Sequence, residues 1–249
     1  MTQLNVEAYL ARIGYAGSRE PTLETLKGIH EAHAFHVPFE NLDIARRRPI
    51  HVEPRLNFDK LVDGHRGGWC LEQNGTLALV LRELGFRVDI LGARVWSEGA
   101  LSYPYGHMTL AVHLDEPWIA DVGFGGRIVG PLRMAERGVQ RYGIRGYVVA
   151  NDGDHWFVTA SEPGSGSMSY VFTLDACEIQ SFEDANRWLQ TSPDSRFTQG
   201  DIASLATPNG RISFGGGRLI VAEGESREER DVRDDERDEL LRRHFGIRL

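Results

Sequence analysis

Cysteine is scarce in this chain of 249 residues, which contains only Cys70 and Cys177. Two cysteines are too few for a disulfide framework or a cysteine-rich metal site. We therefore expect no metal centre and a reducing, cytoplasmic compartment, in which a reactive thiol stays free.

Long hydrophobic runs are also missing, and the N-terminus lacks a basic start followed by an apolar core. A membrane helix needs about 20 apolar residues, so we expect neither a membrane span nor a signal peptide. Basic residues are outnumbered by acidic ones, 28 against 36, which gives a net charge of −8. This balance disfavours nucleic acid or an anionic membrane as partner, but leaves room for a local basic pocket.

The spacing of apolar residues changes twice along the chain. Residues 1–85 read as mainly helical, with apolar stripes at helical spacing that end at glycines. Residues 86–180 alternate in short runs between turn signals, which predicts a small antiparallel barrel or sandwich. Residues 181–249 are mixed, with a helix over 182–190, two strands about 215–217 and an exposed charged helix within 227–244. The pattern indicates an α+β protein with boundaries near residues 85 and 180.

Three histidines, His30, His33 and His36, recur at intervals of three within the second helical stretch. Residues at intervals of three are offset from one another around a helix, so three ligands at this spacing do not lie on one face. We therefore interpret them as hydrogen-bonded polar positions and not as a metal site.

Cys70 follows two glycines and opens a helical stretch that ends at Gly85. The unpaired N–H groups and the positive dipole end of a helix favour a thiolate over a thiol. Gly67 and Gly68 are expected to allow a sharp turn and to leave space in front of the sulfur. A buried structural cysteine is the alternative, but the glycine pair and the helix start favour a nucleophile.

A nucleophilic cysteine needs a base, and the base needs an orienting partner. His107 begins a strand after a glycine, and Asp121 ends a strand beside a glycine loop. A tight hairpin centred on Glu116 would place Asp121 opposite Ala111, about 13 Å along the strand from His107. Contact between the two therefore requires a bulge or a different strand pairing.

The loop formed by Gly123, Phe124, Gly125 and Gly126 follows the strand that carries Asp121. It does not match the dinucleotide-binding pattern of glycines, and a glycine loop after a strand is a weak signal. Its backbone N–H groups are nevertheless candidates for cradling a pyrophosphate.

Several motifs together resemble the arylamine N-acetyltransferases. They are Pro38-Phe39-Glu40-Asn41-Leu42, which we expect to form a tight loop, Arg66-Gly67-Gly68-Trp69-Cys70-Leu71-Glu72-Gln73-Asn74, Gly106-His107-Met108, Asp121-Val122-Gly123-Phe124-Gly125, Asn209-Gly210-Arg211 and the ending Phe245-Gly246-Ile247-Arg248-Leu249. The resemblance spans nearly the whole chain. It implies three domains, a helical bundle (1–85), a β-barrel (86–180) and an α/β lid (181–249), around a cysteine-protease-like core.

The resemblance also implies a triad of Cys70, His107 and Asp121 that works by a ping-pong mechanism. Acetyl-CoA is the implied donor, and arylamines, arylhydrazines or arylhydroxylamines are the implied acceptors in xenobiotic metabolism. We expect Thr109 and the glycines Gly123, Gly125 and Gly126 to contact CoA, and Phe39 and Phe124 to line the aryl pocket. Glu40 and Arg66 are expected to form a structural ion pair beneath the site.

Other functions remain open from the sequence. An amide synthase or a malonyl-CoA-dependent N-acyltransferase would keep the same triad with a different pocket. A papain-like or transglutaminase-like hydrolase also places its cysteine at a helix start, but a protein substrate needs an open groove. A non-catalytic binding module is disfavoured because candidates for all three triad positions are present.

Overall fold

The computed structural model describes residues 4–97, 99–163 and 166–249, and that part of the chain contains seven α-helices and fourteen strands. The α-helices are α1 (Val6–Arg12), α2 (Leu23–His36), α3 (Leu42–Ala45), α4 (Pro54–Leu61), α5 (Cys70–Glu83), α6 (Glu183–Thr191) and α7 (Arg237–Phe245). The strands are β1 (Phe39–Glu40), β2 (Arg87–Ser97), β3 (Ala100–Leu101), β4 (His107–His113), β5 (Pro117–Ala120), β6 (Leu132–Arg133), β7 (Gln140–Tyr142), β8 (Arg145–Asp152), β9 (His155–Glu162), β10 (Gly166–Ala176), β11 (Ile202–Thr207), β12 (Gly210–Gly215), β13 (Arg218–Glu223) and β14 (Ser226–Asp231). The α+β class predicted from the sequence is confirmed.

Local sequence signals mark the ends of the helices that precede residue 85, as α2 and α5 show. The Thr22 hydroxyl accepts a hydrogen bond from the Thr25 N–H at the start of α2, which ends before Pro38. Helix α5 ends just before Gly85, whose φ of +89° is the left-handed conformation that favours glycine. These helices bury one continuous apolar core against one face of the first β-sheet.

That first sheet contains nine antiparallel strands in the order β6-β5-β4-β2-β10-β9-β8-β7, with β3 beside β2. Strand β6 at one end comes close to β8 near the other end, so the sheet is a nearly closed barrel. Aromatic and β-branched side chains such as Tyr147, Val158 and Tyr170 fill its interior. The expected antiparallel barrel is therefore confirmed.

The second sheet has the strand order β1-β11-β12-β13-β14 and shows where the sequence interpretation was incomplete. The segment 38–42, expected to be a loop, contributes β1, which pairs with β11 through Phe39 opposite Ser204. A strand of two residues has no periodicity of its own, and its partner lies far away in the sequence. Long-range pairing with β11 therefore created β1, and β11 itself, which forms a hairpin with β12, was not predicted.

The charged helix expected within 227–244 is wrong for its first part, because Ser226–Asp231 forms the exposed edge strand β14. Charged side chains on an edge strand are a common protection against further strand pairing. The helical part there is a 3-10 turn at Asp234–Glu236 followed by α7, within which Arg242 pairs with Glu239. No helix in the described part of the chain is both long and apolar enough to cross a bilayer.

Candidate active site

Cys70 is the first residue of α5 and is almost fully buried, with 3% of its surface exposed. The Glu72 carboxylate accepts a hydrogen bond of 3.0 Å from the Trp69 N–H and caps the helix start. A Cβ on Gly67 would lie 2.0 Å from the Pro38 carbonyl oxygen, and one on Gly68 would lie 2.7 Å from Glu72. The two glycines therefore make room for strand β1 and the helix cap.

The glycine that faces Cys70 is Gly123, three residues after the barrel strand β5. A Cβ there would lie 2.6 Å from the Cys70 Cα and 2.9 Å from Nδ2 of Asn74. No side chain fits at this distance. The absence of a side chain at residue 123 thus lets the barrel approach the start of α5.

Strands β4 and β5 bring Asp121 to His107 through a hairpin register centred on Asp115. The register assumed from the sequence, centred on Glu116, was wrong. Continued one step beyond β5, the observed register puts Asp121 opposite Thr109, two residues from His107 on the same face. Diagonal cross-strand neighbours of this kind are within reach of long side chains. The Asp121 Oδ2 lies 2.7 Å from the His107 Nε2, and no bulge is needed.

The Asp121 carboxylate is held by a dense set of donors. Its Oδ1 accepts hydrogen bonds from Asn74 Nδ2 at 2.8 Å and from the Gly123 N–H at 2.9 Å. Asn74 Nδ2 also donates to the Met108 carbonyl, and its Oδ1 accepts from the Val122 N–H. The Asn74 amide orientation is therefore fixed by three partners, and it leaves Oδ2 of Asp121 for the histidine.

The ring of His107 lies between this carboxylate and the thiol. Burial lowers the pKa of His107, but the Asp121 carboxylate outweighs burial, and with Cys70 it raises the pKa to about 10. Burial raises the pKa of Asp121, but His107 and the donors on its carboxylate lower it below the ordinary value. With these two pKa shifts, His107 is protonated and Asp121 is ionised at neutral pH, so the two form an imidazolium–carboxylate pair. The Cys70 Sγ lies 3.7 Å from the Gly106 carbonyl oxygen.

An ion cluster lies beneath the start of α5. Arg66 contacts Glu40 at 2.7 Å and Asp43 at 3.1 Å, which confirms the expected Glu40–Arg66 pair. Lys60 extends the cluster to Asp43 at 2.8 Å and to Glu72 at 2.7 Å. Because Glu72 also caps the helix at Trp69, the cluster fixes the residue that precedes the thiol.

Aromatic rings enclose the imidazole on its other sides. The ring centroids of Phe124 and Tyr170 lie 5.3 Å and 4.8 Å from that of His107. The Thr109 hydroxyl lies 3.2 Å from the Tyr170 hydroxyl, and Thr109 is fully buried. Thr109 therefore lies in the barrel interior, and its expected contact with CoA stays a prediction.

Phe39, the other residue expected to line the aryl pocket, packs at one edge of the second sheet. Its ring centroid lies 6.1 Å from that of Phe197, which also contacts the Trp69 ring at 5.3 Å. Phe197 therefore links Phe39 to the residue next to Cys70, a contact that the sequence pattern did not predict.

The glycine loop after Asp121 has one closed end and one open end. The Gly123 N–H donates to Asp121 and is not available to a phosphate. Gly125 has φ +64°, and apart from its chain neighbours no atom of the described residues lies within 4 Å of where its Cβ would stand. Gly126 has φ +72°, and a Cβ there would lie 3.1 Å from the Ala206 N in the second sheet. Gly125 is thus the position at which another molecule can approach the loop backbone.

Comparison with known proteins identifies the family to which the chain belongs. Residues 22–249 match the N-acetyltransferase family, which covers most of the chain. The arylamine N-acetyltransferase of Escherichia coli strain K12 is 37% identical over 205 residues, 81% of this chain and 73% of that protein. The chain belongs to the arylamine N-acetyltransferase family. It is accordingly an acyltransferase.

Solved structures of the family agree in fold. The arylamine N-acetyltransferase of M. tuberculosis superposes with a TM-score of 0.91 at 32% identity, over 98% of this chain and 94% of that one. The enzyme of Mycobacterium marinum in complex with CoA superposes with a TM-score of 0.90 at 31% identity, over 98% and 93% of the chains. The family resemblance read from the sequence motifs is confirmed.

Two residues and one contact of the site were missed by sequence reasoning. Asn74 lies four residues after Cys70, so the helical period alone would have placed both on one face. Tyr170 falls on an inward position of an alternating strand, which identifies it as core but not as a neighbour of His107. The contact of Gly123 with Cys70 joins residues far apart in sequence and had no local signal.

Proposed function

We propose that the protein acetylates arylamines and arylhydrazines by a ping-pong mechanism, with Cys70 as nucleophile, His107 as base and Asp121 as orienting residue. The observation that carries this proposal is the 2.7 Å contact of Asp121 with His107, whose ring also contacts the Cys70 thiol. The membership of the acetyltransferase family supports the same reaction.

In the first step, the Cys70 thiolate attacks the carbonyl carbon of acetyl-CoA, and the bond from that carbon to the CoA sulfur breaks. The proton held by the His107 imidazolium passes to the departing CoA thiolate. The Cys70 N–H, at the first helical position, has no intrahelical carbonyl to bond and is the candidate oxyanion donor. The products are CoA, an acetyl-cysteine and a neutral imidazole.

In the second step, the amine nitrogen attacks the acetyl carbon and the neutral His107 takes one amine proton. The carbon–sulfur bond then breaks, which releases the amide and restores the thiolate and imidazolium. Asp121 stabilises the imidazolium at both stages. Atoms and charges balance over the cycle with no other reactant.

We propose the binding surfaces for the aryl acceptor and for CoA from the way residues pack around His107 and the glycine loop. Phe124 lies against the catalytic imidazole and supports an aryl pocket there, with Phe39 further out beside Phe197. The open space at Gly125 supports contact of the glycine loop, including Gly126, with the CoA pyrophosphate. The CoA-bound relative supports acetyl-CoA as donor. A cytoplasmic location is proposed because Cys70 has to remain a free thiol.

Three domains over 1–85, 86–180 and 181–249 remain our proposal for the organisation of the chain. The helices α1–α5, the barrel and the second sheet support these limits. Strand β1 lies in the first segment yet pairs with β11, so the first and third segments share a sheet.

The test is to incubate the protein with acetyl-CoA and to measure its intact mass. We expect one acetyl group on the wild type and on Cys177→Ser, and none on folded Cys70→Ser. An arylamine should then remove the adduct and yield the N-acetyl product. An adduct that persists on Cys70→Ser would reassign the nucleophile, and preference for malonyl-CoA would select the biosynthetic acyltransferase instead.

Peptide cleavage without an acetyl adduct would select the hydrolase. The burial of Cys70 argues against that outcome, because a protein substrate needs an open groove at the nucleophile.

A further inference from the structure

Two buried histidines of α2, His30 and His33, have no part in the chemistry above, yet both bond to segments that form the active site. Both are fully buried, whereas His36 on the same helix is exposed and bonds to the Ala32 carbonyl of its own helix. Each of the three histidines makes at least one hydrogen bond, as the sequence interpretation expected, but the buried Nδ1 of His30 has no hydrogen-bond partner among the described residues. The partners of His30 and His33 show which segments these hydrogen bonds connect.

The Nε2 of His30 lies 3.1 Å from the backbone nitrogen of Asp121. A backbone N–H can only donate, so Nε2 is the acceptor and the neutral ring carries its proton on Nδ1. Burial lowers the pKa of His30 to about 4, although Asp121 opposes this, so the ring stays neutral at physiological pH. Helix α2 thereby holds the backbone of the residue that orients His107.

His33 takes the opposite tautomer. Gln73 Nε2 donates to the carbonyl oxygens of Gly68 at 2.6 Å and Pro38 at 3.2 Å, so its Oε1 is the acceptor. The His33 Nε2, at 3.1 Å from that oxygen, must therefore carry the proton. The Nδ1 then accepts from the Tyr9 hydroxyl at 2.7 Å. The donors therefore run in one direction, from the Tyr9 hydroxyl through His33 and Gln73 to the Gly68 carbonyl, which lies in the turn before Cys70.

We propose that His30 and His33 are positioning residues that hold Asp121 and the turn at Gly68 at a fixed separation. This inference rests on the roles of Cys70 and Asp121 proposed above. The two histidines lie three residues apart on one helix, so a single rigid element carries both bonds. One bond leads to the barrel side of the site and the other to the nucleophile side.

A neutral imidazole suits the position beside Asp121 better than any charged group. A lysine or arginine there would donate to the carboxylate and compete with His107 for it. A leucine would leave the Asp121 N–H buried without an acceptor and free to shift. A displacement of about 1 Å near reacting groups can cost roughly 100-fold in rate.

The experiment compares His30→Leu, His30→Gln and the matched control His36→Leu. Gln offers an amide oxygen near the place of Nε2, whereas Leu offers no acceptor. The readouts are the single-turnover rate of acetyl-Cys70 formation, KM for acetyl-CoA, and the rate of Cys70 alkylation by iodoacetamide at pH 7, with folding checked by circular dichroism.

We expect His30→Leu to lower the acylation rate roughly 100-fold with KM within about threefold of wild type. His30→Gln should recover most of the rate, and His36→Leu should match wild type. Because His30 acts through Asp121, the same substitution should cost little in an Asp121→Asn background. Full additivity, or a folded His30→Leu variant with wild-type rates, would overturn the proposal.

Nitrogen NMR of the wild-type imidazoles tests the same arrangement without any variant. We expect an unprotonated Nε2 on His30 and an unprotonated Nδ1 on His33, and the reverse tautomers would overturn the proposal. If wild type accepts no acetyl group, the proposed function fails, while the alkylation rates and the tautomers still decide the positioning roles.

Discussion

Replacing Asp121 with asparagine should remove the charge that stabilises the imidazolium and should also force the wrong tautomer on His107. Two N–H groups, from Asn74 and Gly123, point at Oδ1 of Asp121. An asparagine must place its amide oxygen there, which turns its NH₂ group toward the Nε2 of His107. The imidazole would then accept at Nε2 and carry its proton on Nδ1, the nitrogen left for the Cys70 thiol.

The size of the expected rate loss follows from how strongly the site stabilises the His107 imidazolium. The pKa of His107 is raised from 6.5 to about 10 against the effect of burial. At about 1.36 kcal/mol for each pKa unit, the imidazolium is stabilised by a net amount of about 5 kcal/mol. Tenfold in rate corresponds to about 1.36 kcal/mol, so a complete loss would reach about 3 × 10³-fold. The aspartate-to-asparagine change in a serine-protease triad also costs about 10⁴.

The assay is the rate of acetyl-Cys70 formation in a single turnover, with circular dichroism and thermal unfolding as checks on the fold. We expect a loss of about 10³ to 10⁴ for Asp121→Asn. Asp89→Asn is a matched control, because Asp89 also accepts from a histidine Nε2, that of His113, at 2.6 Å on the barrel surface. A folded Asp121→Asn variant that loses less than tenfold would refute the reasoning, and a loss explained by unfolding would make Asp121 structural.

The remaining predictions concern the thiols and the glycines. Because the imidazolium of His107 persists as pH rises until about 10, alkylation of Cys70 by iodoacetamide should be fast at pH 7 and much slower in His107→Gln. Cys177, whose thiol pKa is raised by burial, should label slowly at pH 7, and equal labelling rates for both thiols at that pH would contradict the ion pair. Gly123→Ala should cost roughly 100-fold in acylation, because its Cβ would meet Cys70 at 2.6 Å. Gly75→Ala within α5, where the added Cβ would lie 3.8 Å from its nearest neighbours in Ile179 and Pro54, should stabilise the protein by about 0.5–1 kcal/mol in urea unfolding; similar effects of the two substitutions would contradict the packing argument.

The parts that the sequence predicted well are those governed by neighbours along the chain. Helix α5 has a local start signal in Glu72 and a local stop signal in Gly85, so its ends and the place of Cys70 follow from the sequence. Strand alternation likewise indicated the short strands of the barrel, among them β4, which begins at His107. The family motifs then added the triad and the reaction, which periodicity alone left open.

The parts that the sequence did not predict depend on contacts between distant segments. Strand β1 exists because β11 pairs with it, and the edge strand β14 carries so many charges that it resembled an exposed helix. The β4–β5 hairpin was misplaced by one residue at its centre, and that small error moved Asp121 two positions along the strand. A register error of this size decides whether His107 has a partner.

The reactive state of the site is therefore a property of the assembled fold. In an extended chain, Cys70, His107 and Asp121 are separate groups that titrate independently. Packing of the barrel against α5 at Gly123 brings the carboxylate, the imidazole and the thiol together, and burial then strengthens every interaction among their charges. Because Asn74 and His30 both hold Asp121 from the helical side, loosening of either sheet or helix has to weaken the contact of Asp121 with His107. The rate of Cys70 alkylation consequently reports whether the helices and the barrel are docked.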